Sequence, residues 1–112
     1  MLISVVDDDE SVRESLPDLL RELGFEAEAF SSAEEFLESR ALSVTSCLVL
    51  DVAMPGMSGI ALHRELLNRG SEIPVVFITA YSDEVTRPAL CLTKPFSDQA
   101  LLDAVNLALE RR

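Results

Sequence analysis

Four polar positions each follow directly on a short apolar, β-rich run, and together they could handle a cation and an anion. After "LISVV" come Asp7, Asp8, Asp9 and Glu10; after "CLVL" comes Asp51, then the Pro- and Gly-containing "VAMPGMSG"; "VVFIT" ends on Thr79; and "LCLT" runs into Lys94 and Pro95. If Asp7 or Asp8 converges with Asp51, two or three anions share one pocket, which either raises a pKa or requires a cation. A hard divalent ion with oxygen ligands meets that need: Mg2+ takes one or two carboxylates, keeps several waters and binds phosphate oxygens. Read without Asp51, the run Asp7 to Glu10 does no more than cap a helix and favour its dipole. Lys94 is the only lysine, the other eight of the nine basic residues being arginines. A compact, mobile ammonium suits an anionic oxygen that must be touched and released, whereas Arg favours fixed bidentate pairing. Thr79 offers a small hydroxyl donor. Taken singly, Thr79 is a strand-end residue and Lys94 a surface cation; the weight lies in four such residues falling at equivalent places.

The elements that must position them alternate. Leu2 to Val6, Glu26 to Phe30, Cys47 to Leu50, Ile73 to Thr79 and Leu90 to Thr93 read as strands. Between them, Val12, Leu16, Leu19, Leu20 and Leu23 fall on one face of a helix closed by Gly24. Ser31 and Ser32 with Glu34 and Glu35 offer capping-box starts for a second helix through Phe36 and Leu37. Ile60, Leu62, Leu66 and Leu67 mark a third, ending at Gly70, and Ser97 can cap a last one with the stripe Leu101, Leu102, Val105, Leu107, Ala108 and Leu109. Alternating strands and helices with short connections imply an α/β domain whose parallel sheet is covered on both faces. Ligands bind such sheets outside the carboxyl ends of the strands, at a topological switch point. Asp7, Asp51, Thr79 and Lys94 all fall at that edge.

Two local features resist the scheme. Pro17 interrupts the first helical pattern and predicts a kink or a late helix start. The first three connections hold 19, 16 and 22 residues, but the fourth, Ala80 to Ala89, holds only 10. A helical crossover needs roughly ten to twelve residues, so its helix is expected to be short or missing.

Composition bounds the rest. A chain of 112 residues makes one domain, residues 1–112, and 48% apolar content argues against disorder. The formal net charge of −11 argues against direct nucleic-acid contact, which rests on phosphate neutralisation by Lys and Arg, and is compatible with a cation or a basic partner. Cys47 and Cys91 lack metal-type spacing and read as reduced core residues. "MLISVV" has no basic region and meets Asp7 too early for a signal peptide, and no apolar run approaches membrane-spanning length, so the expected address is the cytoplasm, with no membrane partner. His63, the one histidine, reads as a surface residue; no catalytic triad can be built with it, and the glycines form no phosphate-binding loop.

"VVDDD", "LVLDVAMPGMSG", "VVFITA" and "LTKPF", in that order, resemble the receiver domain of response regulators in two-component signalling. The match spans nearly the whole chain, and four short motifs in register on a βα alternation are specific. The segment "ESVRESLPDLLRELGFEAEAFSSAEEFL" is most similar to receivers that precede LuxR-type helix-turn-helix output domains. The resemblance implies a flavodoxin-like (βα)5 sandwich with strand order 2-1-3-4-5. It implies Asp51 as phosphoacceptor, charged by a histidine kinase or a small phosphodonor. Mg2+ would be held by Asp7, Asp8, Asp51 and the backbone carbonyl of Ala53, with Thr79 and Lys94 on the phosphoryl oxygens and a cis Lys94-Pro95 peptide. Asp9 and Glu10 then cap the first helix. The implied role is a phosphorelay switch rather than an enzyme, acting on a partner, a homodimer or a LuxR-type DNA-binding output domain outside this chain.

The departures are specific. Receivers usually place roughly two more helical turns between the Thr and the Lys, and an aromatic three positions before the Lys, where this chain has Cys91. Both belong to the surface through which such domains pass on phosphorylation. The alternative reading is therefore a pseudo-receiver or protein-interaction module with phosphorylation uncoupled from output. A Mg2+-dependent phosphatase using Asp51 as nucleophile is a third, for which 112 residues leave little room for a substrate pocket.

Overall fold

The structure is a computed structural model and describes residues 1–80 and 90–110. Five strands, β1 (Leu2–Val6), β2 (Glu26–Phe30), β3 (Thr45–Asp51), β4 (Val75–Thr79) and β5 (Leu90–Thr93), form one sheet in the order β2-β1-β3-β4-β5. Every pairing is parallel, as the alternation predicts. The described helices are α1 (Glu10–Glu22), α2 (Ala33–Leu37), α3 (Gly59–Asn68) and α4 (Asp98–Glu110), with a 3-10 turn at Arg40–Ser43. The expectation of a short or missing helix in the fourth crossover falls on residues 81–89, outside the described residues.

Strand alternation splits the core into two layers. Ile3, Val5, Val49 and Ile78 pack against Leu16 and Leu20 of α1 and Leu101 and Val105 of α4. Val6, Leu48, Leu50 and Phe77 pack against Phe36 of α2 and Leu62 and Leu66 of α3. Each side chain on one face of a strand meets one helical stripe, which fixes the register wherever both faces are buried.

The helix boundaries follow capping chemistry. The Asp9, Ser32 and Ser58 side chains accept from the backbone amides of Ser11, Glu35 and Ala61 at the starts of α1, α2 and α3. Glu35 reaches back to the Ser31 amide and hydroxyl, and Ser97 accepts from the Ala100 amide at 3.0 Å. The capping expectations for Ser32 and Ser97 hold.

Several local expectations are corrected. Helix α1 starts at Glu10 and runs on through a buried Pro17, so the late start does not occur; the Asp9 cap and the buried face outweigh the amide that Pro17 lacks. Strand β3 begins at Thr45, two residues early, because its hydroxyl is buried and satisfied by Ser4 Oγ at 2.7 Å and the Ala41 carbonyl at 2.6 Å. Strand β4 begins at Val75, after Pro74, whose carbonyl accepts from Leu48 N but which has no N–H to give. Leu67 (58% exposed) and Leu107 (40% exposed) point outward, one residue off the buried stripes. His63 is half-buried, its ring edge-on to Phe77 at 5.4 Å, and burial holds its pKa below the ordinary imidazole value. Cys47 is buried and Cys91 half-buried, and neither is in a disulfide.

Candidate functional site

The four consecutive carboxylates separate at the end of β1. Asp7 is fully buried. Its amide donates to the Phe30 carbonyl at 3.1 Å, and its Oδ1 accepts from the Asp9 amide at 2.9 Å. Its Oδ2 accepts from Lys94 Nζ at 3.2 Å, and its carbonyl accepts from Arg13 Nη1 at 3.1 Å. Asp9 is turned away as the cap of α1, and the Ser11 hydroxyl and amide on its carboxylate hold its pKa below the ordinary value. Asp8 and Glu10 are exposed. Repulsion within the run is relieved by sending neighbouring carboxylates in different directions with different partners.

Asp51 closes β3, beside Ile78 of β4, and is buried. Because β3 lies between β1 and β4, Asp7, Asp8 and Asp51 each offer a carboxylate oxygen within 4.8 Å of the others. Lys94 Nζ stands 3.7 Å from Asp51 Oδ1. Burial first, then the Asp7 charge, push the Asp51 carboxyl up to about 7; Lys94 opposes this, and hydrogen bonds with Asp8 and Asp7 add to it. Burial disfavours the Lys94 ammonium, but the charge and hydrogen bond of Asp7, with Asp51 and Asp9, hold its pKa above the ordinary lysine value.

Thr79 ends β4 opposite Thr93, is buried, and accepts the Lys94 amide on its carbonyl at 2.7 Å. Lys94-Pro95 is cis. Ala53 lies exposed two residues beyond Asp51, at the start of the loop of residues 52–58. The structure therefore brings Asp7, Asp8, Asp51 and Lys94 into one cluster and places Thr79 and Ala53 at its edge.

Two residues at this edge escaped the sequence reading. Gly59 opens α3 against the strand end: its amide donates to the Val52 carbonyl at 2.9 Å, and a Cβ there would meet the Asp51 carbonyl oxygen at 2.1 Å. The loop after Asp51 can fold back only because this residue has no side chain. The glycine of "MPGMSG" was visible, but the backbone it would approach was not. Arg13 was one of eight arginines, and its contact with the Asp7 carbonyl had no sequence signal at all.

Three carboxylates facing one ammonium, among the described residues, leave the pocket with excess negative charge, which adds to burial in raising the Asp51 pKa. An all-oxygen donor set of that charge fits a hard divalent cation such as Mg2+.

The model of the response regulator receiver domain matches residues 3–106. The chain belongs to this family. The receiver domain is 48% identical over 117 residues to nodulation protein W of Bradyrhizobium diazoefficiens, covering 98% of this chain and 52% of that protein. The response regulator StyR matches with a TM-score of 0.90 and 50% identity, over 98% of this chain and 59% of that one. The response regulator TrrA of Thermotoga maritima, in a structure described as a complex with Mg2+ and BeF, matches with a TM-score of 0.86 and 29% identity, over 96% and 98% of the two chains. The receiver domain thus spans about half the length of the curated relative. That alignment is also longer than the 112 residues present here, so the relative carries residues within the aligned stretch that this chain lacks. Receiver domains are signalling domains and bind Mg2+ at an acidic Asp cluster; Asp7, Asp8 and Asp51 are the candidate group for it among the described residues. Among the described residues no helix is long and apolar enough to cross a membrane.

Proposed function

We propose that residues 1–112 form one receiver domain acting as a phosphorylatable switch, with Asp51 as the phosphoacceptor. The observation that carries this is the convergence of Asp7, Asp8 and Lys94 on a buried Asp51 at the carboxyl end of the sheet. An Asp51 carboxylate oxygen attacks the phosphorus of a phosphohistidine on a kinase; the O–P bond forms as the P–N bond breaks, and the leaving imidazole takes up a proton. Asp7, Asp8 and Asp51, with the carbonyl of Ala53, would hold Mg2+, and TrrA's described complex supports that assignment. When bound, the ion neutralises charge on the phosphoryl oxygens. Lys94 gives its ammonium to one of those oxygens, leaving its resting bond to Asp7 Oδ2, and Thr79 gives its hydroxyl to another. The partner is a histidine kinase, and the output a LuxR-type DNA-binding domain beyond this chain or a second copy; the setting is cytoplasmic.

Incubation with Mg2+ and acetyl phosphate is expected to give an acid-labile phosphate adduct by mass on the wild type and none on Asp51→Asn. A folded, Mg2+-binding wild type that gains no adduct contradicts the switch. Cys91 in place of the family's aromatic, and the residues lacking relative to nodulation protein W, favour a second reading in which phosphorylation is retained but its usual output is uncoupled.

A further inference from the structure

We infer that Arg13 is a positioning residue for the cation site, acting through the backbone of Asp7; the inference rests on the proposed Mg2+ site. The Asp7 carbonyl lies past the last register pair of β1, Val6 with Phe30 and Leu50, and before the cap of α1. Buried carbonyls at such junctions need a donor from elsewhere. Half-buried Arg13, one turn into α1, supplies it at 3.1 Å. With the Asp7 amide on Phe30, Oδ1 on the Asp9 amide and Oδ2 on Lys94, every polar group of Asp7 then has a partner. The Lys94 bond is the one a cation and a phosphoryl group would compete for. The Arg13 bond leaves the carboxylate free to ligate and fixes the peptide from which Asp7 and Asp8 both project. A guanidinium suits this task because its planar fork holds one donor direction.

The sign of the effect separates positioning from charge. If Arg13 mattered only as a nearby positive charge, removing it would make the pocket more negative and tighten a divalent cation. Positioning predicts the opposite. Partners behind metal ligands typically cost roughly 10–100-fold in affinity when removed. Calorimetric titration of the whole domain with MgCl2 is therefore expected to show Arg13→Met binding about tenfold more weakly than wild type, Arg13→Lys recovering most of the loss, and Arg40→Met, at an exposed arginine, unchanged. Faster hydrogen exchange at the Asp9 amide in folded Arg13→Met is expected alongside. Binding by Arg13→Met as tight as or tighter than wild type overturns the inference while leaving the proposed function standing. A wild type that binds no Mg2+ overturns both. Should Arg13→Met fail to fold, Arg13→Gln takes its place, with the same weakening expected and the same unchanged or tighter binding overturning the inference.

Discussion

Asp51 and Asp9 both stand near like charges in the fold and shift in opposite directions. Asp9 accepts two bonds from Ser11 in water and titrates low; Asp51 is buried beside Asp7 and titrates at about 7. Linkage gives the metal-free domain a definite pH response. Asp51 binds its proton more tightly folded than unfolded, so between its ordinary 3.8 and about 7 stability falls as pH rises, and above that window the penalty is complete. Asp9 contributes in the reverse sense, its stabilisation being lost as pH falls below the ordinary carboxylate value. Urea midpoints in EDTA are expected to be higher at about pH 5 than at about pH 8, with the difference largely abolished in Asp51→Asn and by Mg2+ at the higher pH. A wild-type midpoint that rises across this window would show that Asp51 is not the group held protonated.

At the scale of elements, the site depends on how closely α3 approaches the end of β3. Gly59→Ala sets a methyl group 2.1 Å from the Asp51 carbonyl oxygen, so either α3 or the strand end must move. A loss of roughly 1–3 kcal/mol in urea unfolding is expected, the range for overpacking a tight contact, together with slower phosphorylation by acetyl phosphate in the protein that remains folded. An unchanged midpoint would mean that the approach relaxes without cost. The strands and helices were themselves legible where local chemistry decides them: Leu2–Val6, Glu26–Phe30 and Leu90–Thr93 are the runs read from the sequence. The misplaced start of β3 is one settled by a distant partner. Thr45 joins β3 through a bond to Ser4, 41 residues away, and hydropathy carries no record of that bond.

For the whole molecule, a net charge of −11 on 112 residues means that folding gathers repelling charges. Neutral salt is expected to raise the thermal midpoint by roughly a few degrees through screening. Mg2+ at matched ionic strength should raise it further, because ligation adds to screening. Equal midpoints in sodium and magnesium salts would argue against a specific site. The same charge disfavours contact with nucleic acid, whose phosphates are neutralised by Lys and Arg.

Short apolar, β-rich runs alternating with segments of helical period, and polar residues at the ends of four of the five strands, determined the class of fold, its parallel sheet and the edge at which chemistry is expected. These are properties of each segment's own burial, so they can be read from neighbours in the chain. Which strand ends become neighbours in space was decided only by tertiary packing. The order β2-β1-β3-β4-β5 sets β1 beside β3 and so joins Asp7 and Asp8 to Asp51, while the return of β5 beside β4 brings Lys94 back across 87 residues to Asp7. The reach of Arg13 to the Asp7 carbonyl and the bare approach of Gly59 to Asp51 belong to the same category. Both are contacts with backbone atoms, and every residue presents the same backbone atoms whatever its side chain, so no residue type could announce them.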